Sequence, residues 1–251
     1  MTRRIRVIGI GAGHPDQVTV EAIEALRSVD WFITADKGAK DGQGGDPLLA
    51  AREALLARHL DVVPPVVAVR DPERDRADPA DYGQAVTSWH DARADVYEEA
   101  ILERDGDVGF LVWGDPAFYD STIRIVEKVL ARGNIDAEWD VVPGISSLQM
   151  LAARHRIVLH DIGQPILVTT GRRLREALDA GAENILVMLS STIDLEGFDD
   201  WYIWWGANLG TADERLVSGP VLQVAVDVLT ARIDVRTRVG WIMDVYLLRK
   251  L

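Results

Sequence analysis

Short apolar-rich runs that each end at a glycine or proline restrict the fold of this chain more than any other sequence feature. Residues 5–10 and 108–113 are the clearest of these runs. Runs of this length are typical of strands that are buried on both faces of a sheet. Segments with helical spacing at 47–59 and 82–103 predict helices between the strands. The alternation therefore predicts an α/β fold with a mainly parallel sheet.

The second half of the chain predicts a further α/β domain with shorter strands. Its strands are predicted at 166–169, 185–189, 202–205 and 241–248. A length of 251 residues accommodates two domains of about 100–150 residues each. We place the boundary near residue 119, which gives an N-terminal domain of residues 1–119 and a C-terminal domain of residues 120–251.

The composition argues against several classes of function. The chain has 27 basic and 40 acidic residues, so its net charge is −13. A charge of this sign argues against nucleic acid and against an anionic membrane face as partners. The sequence contains no cysteine, which excludes disulfides and thiolate metal sites, and its five histidines lack metal-ligand spacing. We expect a cytoplasmic protein without a resident metal.

Four glycine or proline loops follow predicted strands, which is where ligands of α/β sheets usually bind. The loops span 9–16, 113–120, 142–147 and 206–214. The first loop fails the G-x-G-x-x-G fingerprint of dinucleotide-binding proteins, because His14 occupies the position of the third glycine. Pro15 also removes a backbone N–H that a phosphate would need. A nicotinamide-dependent oxidoreductase remains an alternative that these two residues disfavour.

Polar side chains in two of these loops have roles that the sequence leaves open. Asp115 could accept hydrogen bonds from a ligand, or it could satisfy backbone amides within its own turn. Ser146 and Ser147 could contact a ligand, or either could cap the helix that follows.

Together, the four loops resemble the sequence pattern of the tetrapyrrole methylase family. That pattern combines a glycine–proline loop after the first strand, a Gly-Asp-Pro loop, a Pro-Gly-[Ile/Val]-[Ser/Thr] turn and a late Asn-Leu-Gly-Thr segment. The chain has all four in this order, over nearly its whole length. Further matches are Asp36-Lys37-Gly38, Arg74-Asp75-Arg76 and Trp89-His90, whereas Ser190-Ser191 departs from an expected Asp-Gly pair.

The resemblance implies a two-domain enzyme of the tetrapyrrole methylase type, with its active site in the cleft between two α/β domains. Such an enzyme binds S-adenosylmethionine and is usually a homodimer. The implied reaction is methylation of precorrin-5 at C-1, with release of the acetyl group as acetate. The cofactor contacts that follow from the motifs are Pro15, Trp113, Gly114, Asp115, Phe118, Ser146, Ser147, Leu189, Ala207 and Asn208.

The substrate that the resemblance implies is an anionic tetrapyrrole, and arginine binds carboxylates through paired, charge-assisted hydrogen bonds. The candidates for substrate binding are therefore two arginine clusters, Arg154 with Arg156 and Arg172 with Arg173. Tyr119 and Asp120 follow the Gly-Asp-Pro loop and are the catalytic candidates for acetate release. A methylase that acts at another ring position and a non-catalytic acidic binding module remain alternative interpretations.

Overall fold

Two compact units make up the chain in the computed structural model, which describes residues 2–36, 47–72 and 82–251. The N-terminal unit comprises Met1–Gly11 and Pro15–Ile145, and the C-terminal unit comprises Ala12–His14 and Ser146–Leu251. The Lys37-Gly38 and Arg74-Asp75-Arg76 segments of the family resemblance lie outside the described residues.

The N-terminal unit alternates strands and helices around one sheet. Its elements are β1 (Arg3–Gly9), α1 (Val20–Arg27), β2 (Trp31–Asp36), α2 (Pro47–His59), β3 (Val66–Arg70), α3 (Tyr82–Leu102), β4 (Val108–Val112), α4 (Thr122–Ala131) and β5 (Ala137–Val142). The strand order is β3-β2-β4-β1-β5, and all neighbouring strands are parallel. The parallel sheet predicted from the apolar runs is confirmed in this unit.

Helices cover both faces of the N-terminal sheet. Val7 of β1 packs in a core with Tyr97 of α3, whereas Ile8 packs on the opposite face with Leu26 of α1 and Leu56 of α2. The two faces alternate because successive side chains of a strand point in opposite directions. A strand covered on both faces needs apolar residues throughout, which explains why every residue of β4 is buried.

The position of β5 moves the boundary between the units away from residue 119, where the sequence analysis placed it. This strand pairs with β1 from Arg3 opposite Ala137 to Ile8 opposite Val142, so the division falls after Ile145. The sequence indicates only the end of β5, because Asp140 interrupts its apolar pattern. In the structure that carboxylate accepts from both Nε and Nη2 of Arg6, at 3.0 and 2.8 Å.

The C-terminal unit contains a second sheet of mixed direction. Its elements are α5 (Ser147–His155), β6 (Leu167–Thr170), α6 (Leu174–Asp179), β7 (Asn184–Met188), β8 (Trp201–Ala207), β9 (Arg215–Pro220), α7 (Val221–Val239) and β10 (Asp244–Lys250). The strand order is β6-β7-β10-β8-β9. Only β6 and β7 are parallel, so the mainly parallel sheet that the first half of the sequence predicts does not recur in this unit, which is nevertheless an α/β domain.

The sequence pattern predicts neither β9 nor α7. The α7 residues that pack on the sheet include Val221, Val224 and Val228, and such β-branched residues lower helix propensity. Residues of α6 and α7 share one core with the sheet, which includes the fully buried Trp205 and Tyr246. None of the helices in the described ranges has the length and apolar character that a membrane span requires.

Each sheet has one edge at which several strands end, called here its carboxyl edge. In the N-terminal sheet this is the edge where β1, β4 and β5 end. In the C-terminal sheet β7 and β8 are both antiparallel to β10 and therefore run in the same direction. The carboxyl edge of that sheet is where β6, β7 and β8 end and where β10 begins.

Candidate functional site

The three loops at the carboxyl edge of the N-terminal sheet contact one another through their backbones. Gly11 N donates to Gly114 O at 3.3 Å, and Gly114 N donates to Gly11 O at 2.8 Å. A Cβ on Gly144 would collide with the carbonyl oxygen of Gly114 and with the backbone of Gly9. Only glycine fits where two backbones approach this closely. The arrangement brings together three of the four loops that the sequence analysis singled out.

Asp115 joins two of these loops through its carboxylate. Its Oδ1 accepts from the N–H of Ala117 at 2.8 Å, and its Oδ2 accepts from the N–H of Gly144 at 2.9 Å. Both oxygens are therefore hydrogen-bonded to backbone amides of the same unit. Of the two roles left open by the sequence, the geometry favours the structural one, in which Asp115 fixes the position of Gly144.

The other predicted residues of the Gly-Asp-Pro loop divide into buried and exposed members. Trp113 is half-buried against the core of the N-terminal unit. Phe118 and Tyr119 are 39% and 45% exposed, and Tyr119 has a positive φ of 54°. Asp120 Oδ1 accepts from the N–H of Thr122 at 2.7 Å, so this carboxylate caps α4 with one of its oxygens.

Pro15 begins a single 3-10 turn in the N-terminal unit. Its carbonyl oxygen lies 2.8 Å from Nε2 of His59 at the end of α2. This contact fixes the backbone of the glycine–proline loop.

Leu189, Ala207 and Asn208 lie at the carboxyl edge of the C-terminal sheet. Leu189 follows β7 with a positive φ of 55° and is 63% exposed. Ala207 ends β8 and is fully buried. Asn208 is 1% exposed and has a positive φ of 47°. Its Oδ1 accepts from the N–H of Met243 at 2.9 Å, whereas its Nδ2 is buried without a hydrogen-bond partner.

Ser146 and Ser147 begin α5. The Ser146 hydroxyl accepts from the N–H of Gln149, and the Gln149 side chain accepts from the N–H of Ser146 at 2.8 Å. This reciprocal capping box satisfies backbone donors of the first helical turn. The helix-cap role is therefore the one the structure gives Ser146, and Ser147 is the first residue of the helix.

The first arginine cluster lies at the end of α5. Arg154 Nε lies 2.8 and 2.9 Å from the two carboxylate oxygens of Glu214. Glu214 also accepts from the N–H of Gly210 at 2.7 Å, which ties Arg154 to the loop after β8. Arg156 is exposed and ends the helix in the left-handed conformation.

The second arginine cluster lies at the carboxyl edge of the C-terminal sheet, in a 3-10 turn after β6. Arg173 donates to both oxygens of Glu176, at 2.8 and 2.5 Å, and this pairing lowers the pKa of Glu176. Arg172 precedes it and is exposed. Arg154 and Arg173 are thus partly neutralised by carboxylates of their own unit, which the sequence analysis did not anticipate.

Backbone strain marks several of the predicted residues independently of the motifs. In the described ranges, four non-glycine residues have a positive φ, namely Tyr119, Arg156, Leu189 and Asn208. All four are predicted site residues. Positive φ costs such residues about 1–3 kcal/mol and is concentrated at functional sites. At Arg156 the helix end accounts for the conformation, whereas Tyr119 and Leu189 are exposed loop residues.

No group of three or more potential metal ligands occurs among the described residues. Two charged residues that were not predicted as site residues form an ion pair at the carboxyl edge of the C-terminal sheet, namely the buried Asp244 and the half-buried Arg232. An aspartate at the start of a strongly apolar strand was the available signal, because such a charge needs a buried partner.

Comparison with known proteins identifies the family. Residues 4–225 match the model of the Tetrapyrrole (Corrin/Porphyrin) Methylases. The chain belongs to this family. It is 43% identical over 258 aligned positions to a precorrin-6A synthase [deacetylating] from Sinorhizobium sp, with 99% of this chain and 95% of the relative covered.

Solved structures agree with this membership. The cobalamin-synthesis-related protein CobF from Corynebacterium diphtheriae has a TM-score of 0.83 and 38% identity, with both chains fully covered. A uroporphyrin-III C-methyltransferase from Thermus thermophilus, complexed with S-adenosylhomocysteine, has a TM-score of 0.57 and 16% identity. The alignment covers 98% of this chain and 97% of the Thermus chain, and it shows a common fold.

Proposed function

We propose that this chain is an S-adenosylmethionine-dependent C-methyltransferase of corrin biosynthesis, which methylates precorrin-5 at C-1 and releases acetate to give precorrin-6A. The observation that carries the proposal is the 43% identity to a precorrin-6A synthase [deacetylating] along 99% of the chain. The family membership and the loops at the two carboxyl edges support it.

The residues at these edges fit S-adenosylmethionine. We assign its binding to Pro15, Trp113, Gly114, Asp115, Phe118, Ser146, Ser147, Leu189, Ala207 and Asn208. The buried Nδ2 of Asn208 lacks a partner, and an unsatisfied buried donor costs about 1–3 kcal/mol unless an acceptor is supplied. The exposed side chains of Phe118 and Leu189 offer apolar surface. Asp115 and Ser146 contribute through the loop conformations that they fix.

The protein's part in methyl transfer is to align the reactants. When bound, the cofactor supplies an electrophilic methyl group. Holding the two reactants in line lowers the activation barrier by up to about 7–11 kcal/mol. The backbone contacts among Gly9, Gly114 and Gly144 keep the N-terminal loops in a fixed arrangement. Loops fixed in this way require little reorganisation when ligands bind.

Acetate release requires water, and we assign its assistance to Tyr119 and Asp120. The oxygen of water bonds to the acetyl carbon, and the bond from that carbon to the macrocycle breaks, leaving its electron pair on the macrocycle. Asp120 accepts the proton of the attacking water, and the Tyr119 hydroxyl donates a hydrogen bond to the acetyl oxygen. Tyr119 is exposed, and only Oδ1 of Asp120 accepts from the N–H of Thr122, so Oδ2 is the oxygen that would accept the proton.

The carboxylates of the substrate need cationic partners in a chain of net charge −13. We assign this role to Arg172 and Arg173, at the carboxyl edge of the C-terminal sheet, and to Arg154 and Arg156 at the end of α5. We further propose that the protein acts as a homodimer in the cytoplasm.

Calorimetry with two cofactors tests the cofactor class. S-adenosylhomocysteine should bind, and NAD should not, because the first loop lacks the dinucleotide fingerprint and contains Pro15. Binding of NAD without binding of S-adenosylhomocysteine would overturn the proposal in favour of an oxidoreductase.

A further inference from the structure

A buried ion pair lies at the carboxyl edge of the C-terminal sheet, beside residues assigned to the cofactor. Asp244 begins β10 and pairs with Arg232 of α7, with Nε 2.8 Å from Oδ2 and side-chain exposures of 12% for the arginine and 3% for the aspartate. Trp205 donates its indole N–H to the same carboxylate oxygen at 3.2 Å. Buried charges persist when they are both paired and hydrogen-bonded, and this pair meets both conditions.

The remaining donors of Arg232 reach the loop that follows β7. Its Nη2 donates to the carbonyl oxygen of Ser190 at 2.7 Å and to that of Ser191 at 3.0 Å. The Ser190 hydroxyl donates to the hydroxyl of Tyr246 at 3.3 Å. Burial raises the pKa of Tyr246 to about 12, so this phenol stays protonated at neutral pH. Arg232 therefore holds the backbone of this loop, and Tyr246 holds the side chain of Ser190.

The loop held in this way contains Leu189, which is exposed and has a positive φ. A leucine that is 63% exposed has little packing of its own to offset the cost of that conformation. The two hydrogen bonds from Arg232 fix the next two carbonyl groups, so the arginine holds the backbone of the strained turn in place.

The same ion pair also lies next to the loop after β8. Asp244 is the register partner of Ala207. The preceding residue, Met243, exchanges two hydrogen bonds with Asn208: its N–H donates to Oδ1, and its carbonyl oxygen accepts from the Asn208 N–H at 2.8 Å. The start of β10 thus contacts both loops of this unit to which cofactor binding is assigned.

We propose that Arg232 and Asp244 are positioning residues for cofactor binding, which act through the Leu189–Ser191 and Ala207–Asn208 segments without touching the cofactor. The inference rests on the proposed function. This positioning role requires a guanidinium, because one planar group donates hydrogen bonds to a carboxylate and to two carbonyl oxygens at once. A lysine could keep the charge beside Asp244 but would lack this geometry.

The test measures the affinity of S-adenosylhomocysteine for Arg232→Gln and Arg232→Lys by calorimetry. If the binding loops lose the stabilisation that one hydrogen bond from a charged group provides, the affinity falls roughly tenfold or more. We expect this loss in Arg232→Gln and only partial recovery in Arg232→Lys. In the absence of any ligand, amide exchange across residues 189–191 should become faster in Arg232→Gln.

Arg249→Gln is the matched control. Arg249 lies at the far end of β10, donates to the Val158 carbonyl oxygen at 3.0 Å and pairs with Asp161 at 3.5 Å. It resembles Arg232 in its partners but contacts neither loop. Its variant should retain the affinity for S-adenosylhomocysteine even where its melting temperature falls.

A double-mutant cycle with Leu189→Ala separates positioning from general destabilisation. If Arg232 acts through the Leu189 turn, the effects of Arg232→Gln and Leu189→Ala on affinity are non-additive, whereas those of Arg249→Gln and Leu189→Ala add. Wild-type affinity in a folded Arg232→Gln variant would overturn the inference alone. Absence of S-adenosylhomocysteine binding in the wild-type chain would overturn the cofactor assignment, and the inference with it.

Discussion

The two units fix their candidate loops by different means. In the N-terminal sheet β4, β1 and β5 are neighbours and all end at the carboxyl edge, so their loops meet directly through glycine backbones. In the C-terminal sheet β10 separates β7 from β8 and begins where they end. A gap therefore lies between the two loops, and the Asp244–Arg232 pair bridges it.

Strand direction therefore decides which residues position a loop. Where adjacent strands are parallel, loops come within backbone contact and an added Cβ is the damaging change. Where an antiparallel strand intervenes, long side chains span the distance and their removal is the damaging change.

The largest expected effect is in the C-terminal unit. Asp244→Ala leaves Nε of the Arg232 guanidinium and the indole N–H of Trp205 without their acceptor. Breaking a buried pair in this way costs about 3–5 kcal/mol of unfolding free energy. Urea unfolding followed by tryptophan fluorescence measures it.

The control for Asp244→Ala is Asp194→Ala, which removes an exposed partner of Arg175 in the same unit. Exposed pairs contribute about 0–1 kcal/mol. Equal losses in the two variants would remove the distinction between a bridging pair and a surface pair.

The next largest effect is expected at the glycine contact of the N-terminal unit. Gly144→Ala places a Cβ against the Gly114 carbonyl and Gly9, where no flexible side chain can move away. We expect a loss of about 2–3 kcal/mol, together with weaker binding of S-adenosylhomocysteine. Thermal unfolding and calorimetry measure the two quantities.

Gly133→Ala provides the comparison for this change. Gly133 has a positive φ of 74° but no atom within 4 Å of an added Cβ, so only the conformational cost of about 1–2 kcal/mol applies. If Gly144→Ala were no more destabilising than Gly133→Ala, backbone contact would not be what holds the N-terminal loops.

A smaller effect is expected for Asp115→Ala, which removes the acceptor of two backbone amides. The unfolding free energy should fall by about 1–2 kcal/mol, and the affinity for S-adenosylhomocysteine should fall with it because Gly144 loses its anchor. Asp136→Ala, at an exposed position of the same unit, should change stability by less than about 0.5 kcal/mol. An Asp115 variant of normal stability that no longer binds the cofactor would instead make Asp115 a direct ligand.

The smallest effect is a pH dependence confined to the C-terminal unit. Burial lowers the pKa of His155 from its ordinary value of 6.5, although its Nε2 lies 3.0 Å from the Trp205 carbonyl oxygen. The folded state therefore disfavours the charged ring, so the associated stability is present above pH 6.5 and is lost as pH falls below it. His155→Gln should flatten this part of the stability–pH curve. An unchanged slope in the variant would assign the titration to another group.

The sequence predicted the N-terminal unit better than the C-terminal one, and the reason is physical. Strands buried on both faces, such as β4, are apolar throughout and leave a clear pattern. In β9, polar residues and glycine share a short strand that pairs only with β8 among the strands that the structure describes, and its pattern is weak. The valines of α7 favour a strand locally, and only packing against the sheet makes them helical.

The sequence predicted the loops of the candidate site but not the side chains that hold those loops in place. Glycine and proline breaks after strands are visible in sequence, so the loops that contain Gly114 and Gly144 were predicted. Which side chain fills the gap between two loops depends on strand order, which the sequence alone does not reveal. For this reason Arg232 was missed, and Asp115 and Ser146 could not be assigned between a ligand and a structural role.

The most direct test of the proposed activity is mass spectrometry of the products formed from precorrin-5 and methyl-labelled S-adenosylmethionine. We expect a macrocycle that carries the labelled methyl group and has lost its acetyl group, with acetate released in equal amount. A labelled macrocycle that retains the acetyl group would show methylation at another ring position and contradict the account, as would the absence of any label transfer.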